Sequence, residues 1–315
     1  MIGNTFQFEW EVKLIEWCQS YIPNSIINIL DLVSYLGDTI FVVAIICFLY
    51  LCWDKKAGIK ATFTAITSLM FAGEIKNILK RRRPYFDNKN IKCLKIVDKN
   101  YDLYDVRGQG YSFPSMHSSN ICAVFGTVYN NYKKQPLLIF TIVISLIVGV
   151  SRFVLGCHYP TDVLAGWLLG AGAVIIFGKL LDTLDSKYIY IIMLSLGFVG
   201  MFFCESTDFL SAYGIAIGIV FANYIDEKYI KFKNTRNIIK MIFRLVIALG
   251  VFVGISEGLK LPFSSELLEA NTQFAHWYRV FRYALACFAG IGLTPMLYKY
   301  NLLKLDDKTK DGKLN

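Results

Sequence analysis

Ser151-Arg152, then His158, then Asp162 place a guanidinium, an imidazole and a carboxylate within one short stretch of chain. A carboxylate held against one imidazole nitrogen fixes the tautomer and leaves the other nitrogen free for nucleophilic attack. Arg152 adds a cation suited to phosphoryl oxygens. His158 and Asp162 are spaced i,i+4, so a helical segment would stack them on one face. Pro160 between them equally allows a turn that leads into a helix at Thr161. A second stretch reads Ser112-Phe113-Pro114-Ser115-Met116-His117. Pro114 is placed to start a helix with Ser115 in its first turn, where free backbone N–H groups attract anions. His117, one turn in, is placed to donate a proton to a leaving oxygen. A third stretch runs from Lys76 to Arg83-Pro84. On a helix these two cations would share a face, and a point charge beside a planar fork suits a phosphate.

The elements that carry these residues are apolar. Of the 315 residues 55% are hydrophobic and 18% charged, too few charges to coat a soluble surface of this size. The expected fold is all-α, a polytopic membrane helical bundle of about nine transmembrane helices. The candidate spans are 34–53, 60–79, 115–132, 136–156, 161–181, 188–204, 208–225, 238–257 and 279–297. The chain divides into an N-terminal amphipathic, interfacial segment (1–33), a membrane core carrying all three motifs (34–185), additional helices (186–298) and a polar tail (299–315). Glu9, Glu11, Lys13 and Glu16 among aromatics make the first residues an interfacial helix rather than a cleaved leader.

The net charge of +9 sits mostly in short connections. That pattern reads as topology control rather than nucleic-acid binding, so no nucleic-acid partner is expected. Asp54-Lys55-Lys56, Lys133-Lys134, the segment from Asp226 to Lys240 and the C-terminal tail fall on one side, expected to be cytoplasmic. The three motifs fall on the other. Lys80-Arg81-Arg82-Arg83 is a basic run on that outer side and breaks the rule, which assigns it to function.

Together the three stretches resemble the type-2 phosphatidic acid phosphatase superfamily, whose signature is K-x6-RP, then PSGH, then SR-x5-H-x3-D. Here it stands as Lys76…Arg83-Pro84, Pro114-Ser115-Met116-His117 and Ser151-Arg152…His158…Asp162. Met116 occupies a position that is usually Gly. The resemblance covers about residues 30–180 and implies a six-helix phosphatase core at the N-terminal side. The span count is also similar in layout to the glucose-6-phosphatase and sphingosine-phosphate phosphatase branch. The resemblance implies that His158 is the nucleophile, that Asp162 orients it, and that His117 protonates the leaving group and then activates water. Lys76, Arg83, Ser115, the Met116 amide and Arg152 would hold the phosphoryl oxygens. No metal and no cofactor are implied.

The implied activity is hydrolysis of a lipid phosphate or diphosphate: a polyprenyl diphosphate, phosphatidic acid, phosphatidylglycerophosphate or a sphingoid phosphate. Transfer of the phosphoryl group to another acceptor, or hydrolysis of a sugar phosphate, stays open. Frequent Ile, Lys, Asn and Tyr point to an AT-rich genome and a bacterial plasma membrane. Beyond the motifs, Glu74, Arg244, Glu257, Arg279 and Arg282 lie in or beside apolar runs, where charges are costly and functional or paired. Glu257, Arg279 and Arg282 are expected to line the outer side of the site or to pair with each other. His276 reads as interfacial. Cys93 and Cys157 share the outer side, and a disulfide between them is left open.

Overall fold

The computed structural model describes residues 6–300, and these contain helices and connections with no strand. The 301–315 part of the expected polar tail lies outside the described residues. Five helices are long and apolar enough to cross a membrane, and a sixth candidate is a helix pair bent by 51°. The chain is therefore an integral membrane protein. It forms two compact units. Among the described residues, one comprises 6–42, 63–184 and 202–209, the other 43–62, 185–201 and 210–300.

In the first unit, α1 (Glu9–Tyr21) and α2 (Asn24–Ser34) precede a tight turn, Tyr35–Gly37, and the bend at Asp38 leads into α3 (Thr39–Phe48), which from Val43 on belongs to the second unit. The first apolar helix thus begins at Asn24 rather than near residue 34, because Pro23 sets the N-terminus of a segment, NSIINILDLVS, that is itself amphipathic. Helix α4 (Lys55–Leu79) brings Lys76 to its last turn. Helices α5 (Met116–Tyr132), α6 (Gln135–Val154) and α7 (Pro160–Thr183) follow.

Helix α5 packs along both α6 and α7, and α2 lies on α6. The α5–α7 contact is close because Gly166 and Gly170 face the backbone of α5. A Cβ added at either would come within 2.4 Å of the Ser115 carbonyl or 2.5 Å of the Ser119 carbonyl. Small residues four apart are how membrane helices approach this closely. Thr64 of α4 and Thr127 of α5 share a hydroxyl hydrogen bond at 2.8 Å in the interior.

Helix α1 lies with Glu11, Ile15 and Cys18 inward. Ile15 joins Tyr85, Ile91 and Tyr159 in a small buried cluster, with Val12, Phe86, Cys93, Leu103 and Phe153 around it. Full burial of a side chain such as Ile15 contributes about 1.5–3 kcal/mol. Gln19 anchors the other end of the helix. Its Nε2 donates to the carbonyls of Lys92 (2.9 Å) and Val154 (3.0 Å), and its Oε1 accepts from Lys92 N–H (2.9 Å). The outward face carries Trp10, Trp17 and Tyr21, all exposed.

The second unit contains α8 (Ser186–Gly200), α9 (Thr207–Ile225, whose body from Leu210 on belongs to this unit), α10 (Ile238–Gly258), α11 (Gln273–Cys287) and α12 (Thr294–Lys299). Buried Arg244 on α10 donates from Nη1 to the carbonyls of Leu51 and Lys233, both at 2.9 Å, and faces the ring of Tyr298. It is a structural residue. Glu257 pairs with Lys260 at 2.8 Å. Arg282 is buried beside Tyr283, and His276 is buried in the first turn of α11.

Candidate functional site

Helix α4 ends at Leu79, Lys80 takes a left-handed φ of 51°, and residues 80–83 run without helix. Lys76 and Arg83 therefore do not share a helix face, contrary to the sequence expectation. The chain turns out of the helix, and Arg83 becomes the extended N-cap of a short turn, Pro84–Asp87. Both cations are buried all the same. Lys76 Nζ donates to the Tyr111 carbonyl at 2.5 Å. Arg83 donates from Nε to the Gln109 carbonyl (2.7 Å) and from Nη1 to the Cys157 carbonyl (2.9 Å). Gln109 is buried and organises the intervening loop, donating to the Asp98 carbonyl at 2.8 Å and accepting from Val97 N–H at 3.1 Å.

Ser115 is the N-cap of α5 and not part of its first turn. Its Oγ accepts from Ser118 N–H at 3.4 Å and from the Ser118 hydroxyl at 3.0 Å, while its N–H donates to the Asp162 carbonyl at 2.9 Å. Ser115 thus caps α5 with its hydroxyl and ties α5 to α7 with its N–H. The N–H groups of Met116 and His117 open the helix, in the turn that α-helical bonding leaves unpaired. The preceding Phe113–Pro114 peptide is cis. His117 Nε2 lies 2.6 Å from Asp38 Oδ1. Gly37 packs so close to His117 that a Cβ there would meet the His117 Cβ at 2.8 Å. Asp38 carried no sequence signal, since it lies at a bend inside an apolar run.

The chain leaves α6 through Leu155, Gly156 and Cys157. Gly156 has φ 78°, and a Cβ there would lie 2.3 Å from the Lys92 carbonyl, so both conformation and space demand glycine. The turn is closed by Cys157 N–H and His158 N–H, which both donate to the Arg152 carbonyl, at 3.1 and 3.2 Å. The alternative of a turn before the helix is thus the one realised. Tyr159 is the N-cap of α7, and Asp162 reaches back to accept Tyr159 N–H at 2.7 Å. His158 Nδ1 is 3.5 Å from Asp162 Oδ2, within ion-pair reach but not aligned for a hydrogen bond. His158 is held neutral. Burial and then the charges of Arg83, Lys76 and Arg152 pull its pKa well below the ordinary imidazole value.

Arg152 is 2% exposed, and its Nε and Nη1 have no hydrogen-bond partner among the described residues. A buried guanidinium in this state retains strong donor capacity for an anion. Cys93 and Cys157 are both free thiols, each donating to the Lys95 carbonyl.

Arg81 was legible only as part of a basic run. It is fully buried, stacked between the rings of Phe6 and Tyr159. Its Nη1 donates to Asp162 Oδ1 (2.6 Å) and Thr161 Oγ1 (2.7 Å), its Nη2 to Glu11 Oε2 (2.6 Å) and its Nε to the Phe6 carbonyl (3.2 Å).

A buried imidazole, a carboxylate behind it and several buried cations thus stand at the ends of apolar helices in a membrane protein. Residues 57–184 match the model of the PAP2 superfamily, and residues 210–306 match that of the PAP2 superfamily phosphatase, transmembrane extension. These two stretches make up more than half of the chain, and it belongs to the PAP2 superfamily. Among similar proteins is an undecaprenyl-diphosphatase of Sulfolobus acidocaldarius, 27% identical over 37% of this chain and 52% of its own length. A phosphatidylglycerophosphatase B of Bacillus subtilis is 40% identical over 21% of this chain and 36% of its length. A lipid A 1-phosphatase of Rhizobium etli is 25% identical over 47% of this chain and 68% of its length. The chain thus spans about half or less of the first two relatives. No solved structure matches it.

Proposed function

We propose that this chain is a membrane lipid phosphatase that works through a phosphohistidine on His158, with its site on the outer face of a bacterial plasma membrane. The observation that carries this reading is buried Arg152, with two guanidinium nitrogens that have no hydrogen-bond partner among the described residues, on the same turn as buried His158. Asp162 stands on the Nδ1 side of His158, so Nε2 attacks phosphorus. The N–P bond forms as the P–O bond to the lipid breaks, and His117 supplies the proton to the departing oxygen. His117 then takes a proton from water, which attacks phosphorus, breaks the N–P bond and releases inorganic phosphate. Lys76, Arg83, Arg152 and the Met116 amide hold the phosphoryl oxygens, whose charge grows in the transition state. Asp38, bonded to Nε2 of His117, leaves Nδ1 of that ring for the proton transfers. In this reading Ser115 acts by fixing the helix start.

The relatives are named for substrates that share a phosphate or diphosphate on a lipid, and a lipid phosphate of that kind is the proposed substrate. Nine spans fit this reading. They are the six candidates that qualify by length and apolarity, together with α4, α5 and α8, of 25, 17 and 15 residues. The Lys-rich connections set the outward orientation of the motifs.

The test is phosphate release in detergent from undecaprenyl diphosphate, phosphatidylglycerophosphate and phosphatidic acid, with EDTA present, wild type beside His158→Ala. Release by the wild type and none by the variant is expected. Activity that survives His158→Ala, or that EDTA removes, overturns the mechanism.

A further inference from the structure

Helix α1 lies outside the stretch that matches the PAP2 model, yet one of its carboxylates reaches the site. Glu11 is fully buried and makes three contacts. Its Oε1 accepts from Thr161 N–H (2.9 Å) and Thr161 Oγ1 (2.6 Å), and its Oε2 accepts from Arg81 (2.6 Å). Arg81 in turn holds Asp162, which backs His158. Four buried groups from four segments thus stand in a row: Glu11, Arg81, Asp162, His158.

Their charges alternate. Arg81 by itself would cancel Asp162 and leave His158 facing only cations, namely Lys76 from α4, Arg83 from the loop and Arg152 from α6, with His117 from α5 beside them. Glu11 cancels Arg81. One negative charge then remains on the row, available to offset the positive ring that forms when His158 takes a phosphoryl group. An unpaired buried charge is costly, and a row of this kind stands or falls as a unit.

We propose that Glu11 and Arg81 are positioning residues for phosphoryl transfer: Arg81 aims Asp162, and Glu11 neutralises Arg81 so that Asp162 keeps its charge for His158. This rests on the phosphohistidine reading above.

The experiment compares wild type, His158→Ala, Glu11→Gln, Arg81→Gln and the double variant Glu11→Gln/Arg81→Gln, with kcat, KM, the pH profile of kcat/KM and Tm in detergent. Glu11→Gln should lower kcat about 10- to 100-fold with KM little changed, the scale on which a bonded partner behind a functional group acts. Its acid limb should move to lower pH, because removing a negative charge makes His158 harder to protonate. Arg81→Gln should move the limb the other way. The double variant restores the balance and should regain most of the kcat lost in Glu11→Gln.

A purely structural brace predicts the reverse, a double variant at least as impaired as the single. That result, or wild-type kcat in folded Glu11→Gln, overturns the proposal. If Glu11→Gln does not fold, the double variant is read against the wild type, and a kcat loss beyond about 100-fold overturns it. Failure of the phosphohistidine reading shows separately, as an inactive wild type or an active His158→Ala.

Discussion

His158 is buried among three cations, and its chemistry follows from that setting. Protonating its ring would add a fourth positive charge, so burial and these cations hold its pKa well below the usual imidazole range. The acid limb of kcat/KM should therefore lie below pH 6.5, and Arg152→Gln should shift it upward, because one repelling charge is gone. The same variant should lose about 10²–10³ in kcat, the effect of removing one preorganised donor. His117 and Asp38 make a separate prediction. If this pair delivers the leaving-group proton, His117→Ala should cost about 10²–10⁴-fold on a lipid monophosphate. Asp38→Asn should cost less, and both losses should shrink on p-nitrophenyl phosphate, whose leaving group needs no proton. Equal losses on the two substrates would remove His117 from the acid role.

Helix ends, rather than helix faces, deliver the site. Lys76 closes α4, His117 opens α5, Arg152 closes α6 and Asp162 opens α7. Their mutual positions depend on how closely α5 and α7 approach, and Gly166 and Gly170 set that distance. Gly166→Leu should push the helices apart at the Ser115–Asp162 backbone bond and cost about 1–3 kcal/mol, the range for overpacking. A lowered Tm together with lost activity is the expected reading. Gly156→Ala acts on the turn that carries His158. It forces a Cβ into the Lys92 carbonyl at a left-handed φ, so activity should fall even where the fold survives. The i,i+4 spacing of His158 and Asp162 suggested a helix, but Pro160 at the first helical position leaves His158 on the turn.

In the first unit, α5 runs 17 residues from His117's turn to Lys133, about 25 Å at 1.5 Å per residue. That is most of a membrane's apolar thickness. Exposed Lys89 and Lys134 stand in connections that the orientation rule assigns to opposite sides. A cysteine at Lys89 should react with an impermeant maleimide added outside intact cells, and one at Lys134 only after permeabilisation. The opposite pattern would invert the assignment of the site's face.

By itself the sequence determined the all-helical membrane class and the three motifs that mark the family, since apolar length and residue spacing are local properties of the chain. The stretch that matches the PAP2 superfamily model, residues 57–184, contains all three. Only the tertiary structure decided that α1 docks through Ile15 and Gln19 and puts Glu11 against Arg81, and that the bend at Asp38 meets His117. These contacts join residues about 70 to 80 positions apart, and no local pattern encodes them. For Glu11 and Arg81, both fully buried, the cause is the cost of leaving a buried charge unpaired. That cost is met by whichever opposite charge the folded chain brings within reach, and this depends on the packing of the whole unit.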